Sequence, residues 1–422
     1  MISPASDVVI TGTGVVSPIG IGSEAFASAL AAGHSGVRRL PVFDTDEFPV
    51  RIGAEVVDFD AKQYVTPRKS LKVMSRSIQL AFAAAQMAVT QSRIAVAGVA
   101  HERFGVVFGA DWIQVEPDEL IDAFRAGVNG EKFDFTKWDE GALGELYPLW
   151  MLKYLPNMPA CHIAIAHDAR GPNNTIVLAE ASSLLAMAEG VRVIERGAAD
   201  VMIVGGTGSR IHPLDWAFRD HVLHSPRYEE PTRVSRPFDL ERDGMVYGEG
   251  AAAVVFERRQ HAEARGAKIL ARVLGFASAF ENCQPGQPFE GTAIRAAIRQ
   301  SLRAAHIEPG DVGHVNAHGL STRHHDRAEA AAIRDILGDV PVTALKSYFG
   351  NLGAGTGAVE MLGSLVAFES GQVPLTLNYE HPDPECPVNV VHGTPLATNG
   401  KAAVVLNHAT TGQAVALVLA RE

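Results

Sequence analysis

The stretch from Gly171 to Gly190, GPNNTIVLAEASSLLAMAEG, limits the architecture more than any other part of the chain. Thr175-Ile176-Val177-Leu178 has the composition of a short buried strand, and a helix is expected over 181–196. Leu184, Met187, Ala188, Val191 and Ile194 recur at three- and four-residue spacing and so share one helical face. The other faces carry Ala181, Ser182, Ser183 and Ala186, small enough for the helix to lie deep between layers. Glu180 stands between strand and helix. A side chain there is near free backbone N–H groups and the positive end of the helix dipole, which favours an anion. Two readings are open: a carboxylate that merely suits a helix N-terminus, or one placed for chemistry.

Around this unit, strands and helices alternate. Val8-Val9-Ile10 reads as a strand ending in the glycine turn Thr11-Gly12-Thr13-Gly14, followed by a helix from Ser23 to Ala32 with Ser23 as its N-cap. Ser70 to Gln91 is a long Ala-rich helix, Phe104 to Gly109 a strand, and Val201 to Gly206 another. Gly205-Gly206-Thr207-Gly208 lacks the full spacing of a dinucleotide loop and is read as a turn. The pattern then starts afresh, with a strand over Ile269–Phe276, a helix over Thr292–Ala305, a strand before Asn316 and a helix over Arg327–Leu337. Val404–Leu406 and Ala414–Leu419 look like terminal strands. The expectation is an α/β layered fold whose halves, 1–255 and 256–422, share one core without a clear sequence repeat. The segment 111–159 is less regular and holds three of the four tryptophans, Trp112, Trp138 and Trp150. It reads as a surface excursion, a cap or a partner face.

Composition narrows the function. Apolar residues make up 47% and charged residues 20%, which is globular, and the net charge of −11 argues against nucleic acid as a partner. Arg68, Lys69, Lys72 and Arg76 form one basic cluster that would suit an acidic carrier or simply a solvated helix face. Cys161, Cys283 and Cys386 show no pairing pattern, so a reducing, cytoplasmic setting is expected. No signal peptide and no apolar run of membrane-spanning length is evident.

Four ordered blocks carry a family resemblance. They are the opening VVITGTGVVSPIG; Arg236 to Glu257 (RPFDLERDGMVYGEGAAAVVFE, with Glu249); Asn316-Ala317-His318-Gly319 with Ser321, Thr322, Asp326 and Glu329; and Lys346-Ser347 with Gly350, Gly353, Ala354, Gly357 and Glu360. Over nearly its whole length the chain resembles the β-ketoacyl synthases, the condensing enzymes of fatty acid and polyketide synthesis. The resemblance implies a thiolase-like, five-layered αβαβα fold of two similar halves that forms dimers. It also implies an acyl or malonyl substrate carried on the phosphopantetheine of an acyl carrier protein, with no other cofactor. In that family a cysteine at the buried helix N-terminus carries the acyl chain, two histidines stabilise the enolate, and a lysine supports the electrostatics.

By register the cysteine slot holds Glu180, the first histidine is His318, the lysine is Lys346, and the second histidine slot holds Asn351. The family's C-terminal gate loop corresponds to Asn407-His408-Ala409-Thr410-Thr411-Gly412-Gln413, in which Asn407 and Gly412 are kept and the gating phenylalanine is not. A carboxylate attacking a thioester would have to form an anhydride, an uphill and hydrolysable product, so ordinary Claisen condensation is not expected. Asn351 can donate a hydrogen bond to an oxyanion but brings no positive charge. Near His318 and Lys346, Glu180 would complete an ion-paired cluster supported by Glu329 and Glu249.

Two functions stay open. One is a non-condensing, chain-length-factor-like partner of an active ketosynthase, in a heterodimer or a homodimer. The other is an enzyme on an acyl-carrier substrate, with Glu180 as general base or with malonyl-carrier decarboxylation as its reaction. A homodimeric binding protein and a competent synthase complete the range. His324-His325-Asp326 could suggest a metal, but adjacent histidines rarely converge on one ion, and no metal site is expected.

Overall fold

The computed structural model describes residues 7–41, 51–94, 98–218, 223–282 and 289–422. Its first half holds β1 (Val8–Ser17), β2 (Phe104–Gly109), β3 (Asn173–Ile176), β4 (Val201–Ser209) and β5 (Glu249–Arg258). The second holds β6 (Ala271–Phe280), β7 (Val312–Asn316), β8 (Pro341–Thr343), β9 (Ala402–His408) and β10 (Gln413–Arg421). The half-sheets share one strand order, β3-β2-β4-β5-β1 and β8-β7-β9-β10-β6, with Asn389–Val390 extending the latter beyond β8. Directions match too: three parallel strands, then two successive antiparallel ones. A short antiparallel ladder of Val8–Ile10 against Ala271–Val273 joins the halves. The expected division at residue 255 falls within β5.

Among the described residues, the helices of eight or more residues are α1 (Ser23–Ala32), α2 (Arg76–Ser92), α3 (Pro117–Ala126), α4 (Met158–Ala166), α5 (Ser182–Glu195), α6 (Thr292–Ala305), α7 (Arg323–Leu337) and α8 (Thr356–Ser370). Three apolar cores separate five layers. Leu184, Met187, Val191 and Ile194 of α5 and Val359 and Leu362 of α8 meet Val204 and Val254 of one sheet and Val405 and Leu417 of the other. The next residue along each strand points the opposite way, as the two-residue strand period requires. Ile203 and Val255 pack under α2 and α4, while Val404 and Val418 pack under α6 and α7. The stack is therefore α2/α4, sheet, α5/α8, sheet, α6/α7. The helical face expected in α5 is buried at every position, and Ser182, Ser183 and Ala186 on its other faces are fully buried as well.

Several local expectations are corrected. β3 ends at Ile176 and lies at a sheet edge, so it is not a buried strand, and Val177 and Leu178 are 46% and 44% exposed. The Thr11–Gly14 stretch continues β1, whose register shifts between Ile10 and Gly12. Gly22, at φ 89°, caps α1, and Ser23 is its first residue, with Oγ 3.0 Å from Thr13 Oγ1. The α-helical part of the second predicted helix begins at Arg76, after a 3₁₀ stretch over Arg68–Val73.

Gly205-Gly206-Thr207-Gly208 is no turn but the interior of β4. Its glycines answer to neighbours. A Cβ on Gly206 would lie 2.5 Å from both Ala354 O and Ser183 Cβ, and one on Gly208 only 2.1 Å from Leu352 O. β4 thus runs directly against the head of α5 and the turn before α8. Gly206→Ala is expected to lower stability by about 1–3 kcal/mol by overpacking, readable as a shift in the chemical unfolding midpoint.

Candidate functional site

Ala179 holds φ at 47°, a left-handed conformation unusual for a residue with a Cβ. This kink, continued by a 3₁₀ turn over Ala179–Ala181, drives Glu180 into the interior at the head of α5, where it is 4% exposed. Ser182 Oγ braces the turn, donating to Ala179 O at 2.6 Å and accepting from Leu178 N at 2.8 Å.

Glu180 Oε1 accepts from Arg210 Nη1 at 2.6 Å and from Asn351 Nδ2 at 2.9 Å. Arg210, just past β4, also reaches Asp111 at 3.3 Å and lies over the Tyr247 ring, 5.4 Å from its centroid. Burial alone would raise the Glu180 pKa, but Arg210 and the Asn351 amide outweigh it and hold the carboxyl at about 2. The same pairing raises Arg210 above its ordinary value against the opposing effect of burial. Glu180 is an ionised, clamped carboxylate.

A second charged group sits across the site. Lys346, 2% exposed, donates from Nζ to His318 O at 2.6 Å and to Glu360 Oε1 at 2.7 Å, and lies 3.0 Å from His318 Nδ1. An ammonium only donates, so His318 Nδ1 accepts and the neutral ring carries its proton on Nε2. Burial, then the nearby Lys346 charge, holds His318 well below the ordinary imidazole range. Burial pushes Glu360 up to about 7 despite Lys346 and Asn407, whose Nδ2 donates to Glu360 Oε2 at 2.6 Å.

Two carboxylates of α7 hold the loop that carries His318. Glu329 accepts from His318 N at 2.7 Å and Gly319 N at 2.8 Å. Asp326 accepts from Ser321 N at 3.1 Å and Thr322 N at 3.3 Å, with Arg242 Nε 3.6 Å away. Thr322 Oγ1 is 3.1 Å from His325 Nδ1.

Of the predicted residues, Glu180 and Asn351 form one bonded group, and His318, Lys346, Glu329 and Asn407 form another through Glu360. Three expectations change. Glu180 takes Arg210 as its ion partner, not Lys346. Glu249 lies elsewhere, paired with Arg76 at 2.8 Å and bonded to Val56 N and Ser209 Oγ, because it opens β5 opposite Ser209, where its side chain meets the first residue of α2. Asn351 is already engaged: Nδ2 donates to Glu180 at 2.9 Å and lies 3.6 Å from Met245 Sδ, and Oδ1 accepts from Gly353 N at 3.0 Å and Thr356 Oγ1 at 3.3 Å. Thr410 and Thr411 are exposed in a tight hairpin between β9 and β10, with Gly412 at φ 100°, so no side chain there gates the interior.

Sequence reasoning misses Arg210 and Asp111, and it meets His408 only within the gate loop and His325 only beside His324. Only the general rule that a buried carboxylate needs a counter-ion pointed toward an arginine such as Arg210. Among the described residues no three His, Cys, Asp or Glu side chains are placed to hold a metal ion. Cys386 is buried, which raises its thiol pKa, while Cys161 is part-buried; both are free, and Cys283 lies outside the described residues. No described helix is long and apolar enough to cross a membrane.

Two half-sheets of one topology around a shared helical layer, with a kinked strand-to-helix residue opposite a buried His–Lys pair, define a thiolase-like protein of the ketosynthase kind. Comparison with known proteins specifies the group. Residues 5–262 match the β-ketoacyl synthase N-terminal domain and residues 270–380 its C-terminal domain. The chain is 36% identical over 397 residues to a putative polyketide β-ketoacyl synthase 1 of Streptomyces cyaneus, covering 92% of this chain and 91% of that one. It is 33% identical over 396 residues to 3-oxoacyl-[acyl-carrier-protein] synthase 2 of Synechocystis, covering 92% and 91%. The structure of the ishigamide ketosynthase/chain length factor superposes with a TM-score of 0.85 at 28% identity, covering 99% of each chain. The chain belongs to the β-ketoacyl synthase family of fatty acid and polyketide synthesis.

Proposed function

We propose that this chain is a non-condensing member of the family, a chain-length-factor-like partner of an active ketosynthase that works on acyl groups borne by the phosphopantetheine of an acyl carrier protein. One observation carries the reading: the side chain in the nucleophile's position is a carboxylate with one oxygen held by both Arg210 and Asn351. Such a group neither carries an acyl chain as a thioester nor accepts a proton near neutral pH. Likeness to a ketosynthase/chain length factor structure supports the pairing. So does the edge of β3, unpaired among the described residues and followed by Val177 and Leu178 at 46% and 44% exposure. The excursion 111–159 also exposes apolar side chains, Trp112, Phe133 and Phe135 among them.

The reading of Glu180 as general base, or of the site as a malonyl-carrier decarboxylase, has the preserved His318–Lys346–Glu360 chain in its favour. The base reading needs a carboxylate open to the proton it takes, and Glu180 Oε1 is held by both Arg210 and Asn351; the decarboxylase reading would set the malonyl carboxylate against an ionised Glu180.

The test is intact-mass and product analysis with malonyl- and acyl-loaded carrier protein. The wild type alone is expected to give neither decarboxylated nor condensed product. Glu180→Cys is expected to take up an acyl group, seen as a mass increase. Wild-type turnover that vanishes in Glu180→Ala would sink the partner reading.

A further inference from the structure

With Asn351 committed to Glu180, the donors left near His318 come from another imidazole. His408, the last residue of β9, is 1% exposed, and its ring centroid lies 4.2 Å from that of His318. Phe289 and His325 flank it in near-parallel arrangement, at 5.4 Å and 6.0 Å. Neither His408 Nδ1 nor His408 Nε2 has a hydrogen-bond partner among the described residues, and the nearest carboxylate oxygen, Glu329 Oε2, is 3.8 Å from Nε2. Glu329 is already engaged by the amides of His318 and Gly319. A buried imidazole in either tautomer has one N–H to give, and leaving it unmet is costly.

We infer that His408 is a ligand-binding residue of this site which, with His318, receives the carbonyl oxygen of an acyl thioester. The chemistry follows from the donors. His318 keeps its proton on Nε2 because Lys346 holds Nδ1, so two neighbouring imidazoles each have an N–H for one acceptor. Among the described residues no free carboxylate competes for them, because Glu180 is paired with Arg210 and Glu329 with backbone amides. A neutral oxygen with two lone pairs, such as a carbonyl, can accept from both and suits this pair. Only the thioester is taken from the proposed function; His408 as its receiver is additional to that reading.

The experiment measures binding, so it needs neither turnover nor a companion ketosynthase. S-acetyl-pantetheine, a thioester, is compared by calorimetry with S-ethyl-pantetheine, the thioether lacking the carbonyl. The wild type is expected to favour the thioester by about tenfold, the worth of a buried hydrogen bond. His408→Phe is expected to lose that preference while still binding the thioether. In parallel, ¹⁵N-histidine NMR of the wild type should show a His408 ring nitrogen shifting with the thioester and not with the thioether; this decides the matter should the variant not fold. Equal binding of the two probes, or a preference unchanged in His408→Phe, would overturn the inference. Turnover of carrier substrates in the preceding mass analysis would overturn the partner reading and leave this one standing.

Discussion

Glu180→Ala is expected to destabilise the protein by about 3 kcal/mol, the low end of the cost of breaking a buried ion pair. The low end applies because Arg210 would still have Asp111 at 3.3 Å. The titration of Glu180 leads to a similar size: a carboxyl held at about 2 rather than near 4.5 contributes roughly 3 kcal/mol. The sign is that of a depressed carboxyl. Its contribution is fully present above the unfolded value, near 4.5, and is lost as pH falls toward 2. Wild-type stability should therefore drop through that acidic window more steeply than that of Glu180→Ala. Arg210→Met is expected to cost more than Glu180→Ala, since it takes the arginine away from both Glu180 and Asp111. Glu180→Ala/Arg210→Met should cost clearly less than the two single changes added, because it removes the pair together. Chemical unfolding of the four proteins checks this. A Glu180→Ala protein as stable as wild type would mean that the clamp does not hold the site.

Lys346→Met is expected to produce the second large effect, and one that grows with pH. Glu360 is already pushed up to about 7 by burial with Lys346 beside it. In the wild type the folded state therefore keeps the Glu360 proton to higher pH than the unfolded state does. That contribution is present below about 4.5 and lost as pH rises through about 7. Without the lysine the folded carboxyl stays protonated further up the scale, so the loss continues above neutrality at about 1.4 kcal/mol per pH unit. The difference between wild type and Lys346→Met should be small at about pH 5 and reach about 3–5 kcal/mol at about pH 9. His318 would also lose the donor to Nδ1 that sets its tautomer. Unfolding free energies across this range test the prediction, and a pH-independent difference would contradict it.

These two ion pairs also mark where reading the chain succeeds. Leu184, Met187, Val191 and Ile194 announce the buried face of α5 because a helix brings such neighbours together every three or four residues. The blocks around His318, Lys346 and Glu360 are equally legible, since each is a short run whose spacing is the signal. Their joining is not, because Lys346 Nζ meets His318 O and Glu360 Oε1 only when α8 packs beside the end of β7. Gly205-Gly206-Thr207-Gly208 looks like a turn in one dimension. It is a strand because the reason for its glycines lies in the backbone of Leu352 and Ala354, far along the chain.

The alternation of periodic segments determined by itself the layered α/β class, the deep central helix and the placement of Glu180 at its head. Tertiary structure alone decided what Glu180 does there. Arg210 arrives from the end of β4, Asn351 from the turn before α8, and Glu249 is drawn away to Arg76. Periodicity is a property of neighbours in the chain, whereas the state of a buried charge depends on countercharge and desolvation supplied by elements that meet only in the folded layers.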